Sequence, residues 1–154
     1  MSVERLSHLT EEERNLCLEA PALVALLIGK ADGNFNNKEK ERARNAMKFR
    51  QSNGDALLFD YFKEVHKTFD NVLQSVEEKH VGDTKDVIIS VSAELGKLND
   101  VLPKLDRRFA GILFKNLKSL ATGVANSSGG IFGIFDESEE EANLVDLPMI
   151  TFED

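Results

Sequence analysis

The chain has 154 residues, 42% apolar and 30% charged, which suits a single water-exposed globular domain over residues 1–154. Its formal net charge of −8 is concentrated at one end: from Asp136 to Asp154 there are eight acidic residues and no Lys or Arg. With those eight set aside, the remaining 19 Asp and Glu balance the 19 Lys and Arg, so the localised surplus disfavours nucleic acid and anionic membrane and favours cations or basic partners. A solvated acidic tail is the plainer reading of the same pattern. No apolar run approaches the ~20 residues that cross a bilayer, and "MSVERLSHLTEEER" has no signal pattern. The single cysteine, Cys17, excludes an internal disulfide and fits a reducing compartment, so the expected location is cytoplasmic.

Helical periodicity runs through nearly the whole chain. Thr10 before three glutamates reads as an N-cap, opening a helix to about Glu19. Pro21 suits a first helical position and starts a second, strongly apolar helix to Ala31, which Gly33 ends. Asn36 with Glu39 has capping-box spacing and opens a third helix to about Arg50. After "QSNGD", Asp55 caps a long helix with helically spaced Leu57, Leu58, Tyr61, Phe62, Val65, Phe69, Val72, Leu73 and Val76. "HVGDT" breaks it, and a fifth helix spans about Lys85 to Asn99. Pro103 marks the next boundary, and a sixth helix covers roughly Asp106 to Ala125. Ser138 with Glu141 repeats the capping-box spacing and opens a last helix that stops before Pro148. The expected fold is all-α, with about seven helices in a compact bundle and no strand.

A faint repeat accompanies this order. "LVALLIGKADGNFNNKEKE" and "LKSLATGVANSSGGIFGIFDESEEEA" both run apolar helix, glycine turn, cap, glutamate. Aligning the glycines sets Asp32 opposite Ser128, Gly33 opposite Gly129, Asn36 opposite Ser138 and Glu39 opposite Glu141. The reading is a pseudo-twofold pair of helix–turn–helix units.

The stretch "GKADGNFNNKEKE" invites comparison with a calcium loop. With Gly33 as sixth residue, Asp32 is fifth and Glu39 twelfth, but the first and third positions fall on Ile28 and Lys30, which excludes an EF-hand. Half a site remains: Asp32 at the negative end of a helix and Glu39 in the next helix's first turn. The second acidic turn would supply Asp136, Glu140 and Glu141 if the two units pack as partners. Otherwise these residues cap turns and complement helix dipoles.

These paired motifs, "KADGNFNNKEKE" and "LATGVANSSGG…DESEEEANLVDLPM", resemble the TerB-like family of tellurite-resistance-associated domains, over Pro21 to Met149. The resemblance implies an all-helical domain with pseudo-twofold halves, a divalent-cation site (Ca2+ or Mg2+) from the acidic residues of both motifs, and a place in a membrane-linked stress-response complex without catalysis. Carried over, Asp32 and Glu39 match the first motif and Glu141 the second; Ser128 replaces the second aspartate, and Asp136 stands in the inserted turn.

No phosphate loop, paired-histidine spacing or nucleophile elbow is present, so no enzyme is expected. His8, His66 and His80 are assigned to surface or packing roles. The cations of the third helix, Lys38, Lys40, Arg42, Arg44, Lys48 and Arg50, are read as a solvated face or a dock for an acidic partner. Ile131, Phe132, Ile134 and Phe135 form an apolar loop that either tucks into the core or contacts a partner protein. Two functions follow: a cation-binding domain, or a metal-free adaptor that uses the acidic end and this loop.

Overall fold

Ten consecutive residues, Ala20 to Gly29, are buried in the middle of one helix. A helix that is apolar all round must be sheathed on every side, and this one is. The computed structural model, which describes residues 4–33, 35–127 and 144–153, is built around it. Among those residues there are five long helices, one four-residue turn of helix, three short 3-10 turns and no strand. The long helices are α1 (Glu11–Asp32), α2 (Asn37–Arg50), α3 (Phe59–Lys79), α4 (Thr84–Gly96) and α6 (Arg107–Ser127); the short turn is α5 (Leu98–Val101). α1 is the axle, with α3, α4 and α6 packed along it, while α2 lies across α3 and α6.

The sheath follows from sequence spacing. Tyr61, Phe62, Val65, Phe69, Leu73 and Val76 are the buried stripe of α3. Val87, Val91 and Leu95 play the same part on α4, as do Phe109, Leu113, Leu117, Leu120 and Val124 on α6. Tyr61 sits edge-on to Phe62 and to Phe109, with centroids 5.0 and 6.4 Å apart, tying α3 to α6.

The expected boundary at Pro21 is corrected: the two N-terminal helices are one, and Pro21 lies inside α1. A proline within a helix has no N–H for the carbonyl four residues earlier, here that of Cys17. The Tyr61 hydroxyl donates to that carbonyl at 2.6 Å, so the orphaned acceptor is satisfied from α3. Fusion of these two helices removes one from the expected seven. Most of the last expected helix, from Ser138, lies outside the described residues; of its described part only Leu144 is helical, and a turn follows at Val145 and Asp146.

Other boundaries sit close to expectation. Thr10 caps α1, accepting from the Glu13 N–H, and Gly33 at φ 76° ends it. Asp55 caps the 3-10 turn Ala56–Leu58, so Leu57 precedes the long helix instead of lying on it. Asp83 caps α4, and Asp106 accepts from the Phe109 N–H at the start of α6. The expected fifth helix breaks at Lys97 into α4 and α5, followed by the 3-10 turn Leu102–Lys104 that contains Pro103.

Candidate functional site

The α1–α2 corner is shaped by packing before any charge is considered. After Gly33 turns the chain, Phe35 folds back onto α1 at Gly29. A β-carbon at position 29 would lie 2.3 Å from the ring's Cδ1, so only glycine fits there. Lys40 stands over the Phe35 ring, 5.3 Å from its centre, and pairs with Glu77 at 3.0 Å. Asn36 then starts α2 by accepting from the Glu39 N–H at 3.0 Å.

Asp32 is the last residue of α1 and half-buried. Its Oδ2 is buried with no hydrogen-bond partner among the described residues. The Gly33 N–H does not serve it, turning back instead to the carbonyls of Gly29 and Lys30. A buried carboxylate oxygen without a donor is costly and accepts a proton donor or a cation readily. Glu39 is only 6% exposed, and its Oε1 meets Arg42 Nη1 at 3.4 Å. Arg42 therefore already neutralises part of the charge that the sequence reading reserved for a cation.

Glu39 also lines a cavity of about 110 Å3 between α2 and α6, with Arg42, Ala43, Ala46, Arg50, Leu120, Gly123 and Val124. The first acidic corner thus stands beside the C-terminal end of α6, the helix from which the second motif follows. Asp136 and Glu141, and likewise Ile131, Phe132, Ile134 and Phe135, lie outside the described residues. Among the described residues, no three His, Cys, Asp or Glu side chains gather as a metal-holding group.

Four of the six basic residues of α2 have partners within the molecule, while Lys38 and Lys48 are exposed. Arg44 pairs with Asp70 at 2.7 Å and Lys40 with Glu77, both on α3, while Arg42 holds Glu39. Arg50 donates to the Ala46 carbonyl at 3.3 Å, and burial holds its guanidinium below the usual arginine range. Lys40 and Arg44 thus stitch α2 to α3, while Arg42 and Arg50 bond within α2 itself.

The histidines have structural partners where hydrogen bonds define them. His8 Nε2 donates to the Lys104 carbonyl at 2.7 Å, and His80 Nδ1 meets the Ser90 hydroxyl, joining the end of α3 to α4. Burial lowers the pKa of His80, with nearby Glu94 opposing that shift. Cys17 is fully buried and its thiol is pushed up to about 12, first by burial and then by Glu13, the opposite of a nucleophile's environment.

The sequence reading did not anticipate a cleft of about 460 Å3 in which Glu12, Glu13 and Glu19 of α1 face Glu94 and Asp100. Lys79 and Lys97 share that cleft, and Lys97 pairs with Glu94 at 3.0 Å. The i, i+3 spacing of that pair was the only local signal for it. Among the described residues, no helix is long and apolar enough to cross a membrane. Compared with protein-family models, curated proteins and solved structures, the chain matches none.

Proposed function

We propose that this chain is a non-enzymatic TerB-like domain that binds a divalent cation, Ca2+ or Mg2+, at the α1–α2 corner and acts through a protein partner in a stress-response complex of the tellurite-resistance type. The observation that carries the cation reading is the Asp32 Oδ2, a buried carboxylate oxygen at the negative end of α1 that has no donor among the described residues. Glu39 is the second ligand, exchanging Arg42 for the ion. Asp136 and Glu141 complete the set in this proposal, which includes the pseudo-twofold pairing of the two helix–turn–helix units. The shared α2–α6 cavity supports that pairing, because it places Glu39 beside the helix that leads into the second motif.

Calorimetric titration of the full chain with calcium, then magnesium, tests the reading. Saturable binding that Asp32→Asn abolishes is expected. Ligand at 100 times Kd would add about 2.7 kcal/mol of stability. No heat and no change in melting temperature with either ion would refute it. Loss of a captured partner on deletion of residues 130–135 would then favour the metal-free adaptor.

A further inference from the structure

Glu39, Arg42, Ala43, Ala46 and Arg50 recur along α2 at three- and four-residue spacing, so they share one face of that helix. Together with α6 this face lines the cavity of about 110 Å3 described above. Its two sides differ in chemistry. Ala43, Ala46, Leu120 and Val124 form an apolar wall, and the Arg42 and Arg50 guanidiniums form a charged one with the Glu39 carboxylate.

The charged wall is not balanced. Arg42 holds Glu39 at 3.4 Å, but Arg50 has no such counterpart. Among the described residues its guanidinium makes one hydrogen bond, from Nη1 to the Ala46 carbonyl at 3.3 Å, and no ion pair. Most of its N–H donors are thus left unused by those residues. Arg50 is half-buried, and the lowering of its pKa has burial as its cause. A partly desolvated cation without an anion is costly, and an anion entering the cavity relieves that cost. Two guanidiniums and one carboxylate leave the lining at a formal charge of +1, which a monovalent anion balances and a phosphate dianion overshoots.

The α6 side carries a second, independent observation. Gly123 lies within α6, where glycine is among the least favourable residues. Packing does not require it, because a β-carbon there would meet no atom within 4 Å. What the missing side chain does is leave the cavity open.

We propose that the α2–α6 cavity binds a short aliphatic carboxylate, free or at the end of a polypeptide, with its charge on the Arg50 guanidinium and its tail against Leu120 and Val124. A guanidinium offers a carboxylate two parallel N–H groups, which fixes the ligand's orientation as well as its charge. The volume is far below the ~300–1,000 Å3 of drug-sized sites, so the tail is limited to a few carbons. The site needs no cation at the α1–α2 corner, and its test is run without one.

Butyrate is titrated into the isotopically labelled full chain, with a chelator present and ionic strength held constant with chloride, and the amide resonances are followed. Saturable shifts at Ala46, Arg50, Gly123 and Val124, half-complete at about millimolar butyrate, are the expected result. Butyramide, which has the same shape without the charge, should bind at least about tenfold more weakly. Arg50→Gln should weaken butyrate binding by about tenfold or more. Gly123→Leu should abolish it with no fall in melting temperature, since leucine occupies the open space and favours the helix. N-acetyl-alanyl-valine separates the two sources: tighter binding than butyrate assigns the site to a chain terminus, and weaker binding assigns it to a free small acid. Three results would each overturn the proposal: no saturable shift up to about 50 mM butyrate, equal binding of butyramide, or unchanged butyrate affinity in Arg50→Gln or Gly123→Leu.

Discussion

Replacing Tyr61 with phenylalanine deletes one oxygen and leaves the Cys17 carbonyl, buried opposite Pro21, without a donor. The ring stays, so the packing against Phe62 and Phe109 is retained. The loss is the hydrogen bond plus the desolvation of an orphaned acceptor, about 2 kcal/mol within the usual ~1–3 range. For a chain of this size that amounts to roughly 4–8 °C in melting temperature. The proline supplies the control. Pro21→Ala restores an N–H four residues beyond Cys17, so Tyr61→Phe should cost about 1 kcal/mol less in the Pro21→Ala background. Urea unfolding of the wild type, the two single variants and the double variant closes the cycle. A cost for Tyr61→Phe that is unchanged by Pro21→Ala, within the ~0.3–0.5 kcal/mol expected of independent sites, would refute the claim that this hydroxyl replaces the missing donor.

Three further outcomes can be checked. Gly29→Ala drives a β-carbon into the Phe35 ring and should destabilise the chain by ~1–3 kcal/mol in urea unfolding; adding Phe35→Ala should make the pair less than additive. Tyr61 is the sole tyrosine and burial raises its pKa well above 10.0, so phenolate absorbance should appear only with unfolding. Because the folded state favours the protonated phenol, its stabilising effect is complete below the unfolded pKa and is lost as pH rises beyond it, which urea midpoints at stepped alkaline pH will show. A reversible titration near pH 10 in folded protein would contradict this burial. Cys17, raised from 9.0 to about 12, should resist a disulfide reagent at pH 8 and react at once in denaturant.

Much of the fold was legible because it is written locally. Thr10, Asn36 and Asp55 each place an acceptor beside a free N–H within three residues, and the stripes of α3 and α6 repeat at helical spacing. Pro21 was misread because the donor that serves its orphaned carbonyl, Tyr61, is forty-four positions beyond Cys17. A proline that opens a helix and one rescued by a distant hydroxyl look alike in sequence. The same distance hid the fate of the α2 cations: Arg44 and Lys40 appear unpaired along the chain, yet meet Asp70 and Glu77 once α2 lies on α3. At the acidic corner, sequence located Asp32 and Glu39 but gave no sign that Arg42 would engage Glu39, because such an i, i+3 pair is indistinguishable from an ordinary surface pair until burial is known.

The central placement of α1 has a temporal side. During synthesis this apolar rod emerges before every element that later encloses it, and the last of those, α6, starts only at Arg107. Until then the side of the rod that α6 covers is open to water even after α3 and α4 have emerged, and a nascent chain stalled before α6 offers a sticky face to holding chaperones. In the finished protein the reverse applies. The amide protons of that stretch should be the slowest in the molecule to exchange with heavy water, because nothing short of disassembling the whole bundle lets solvent reach them.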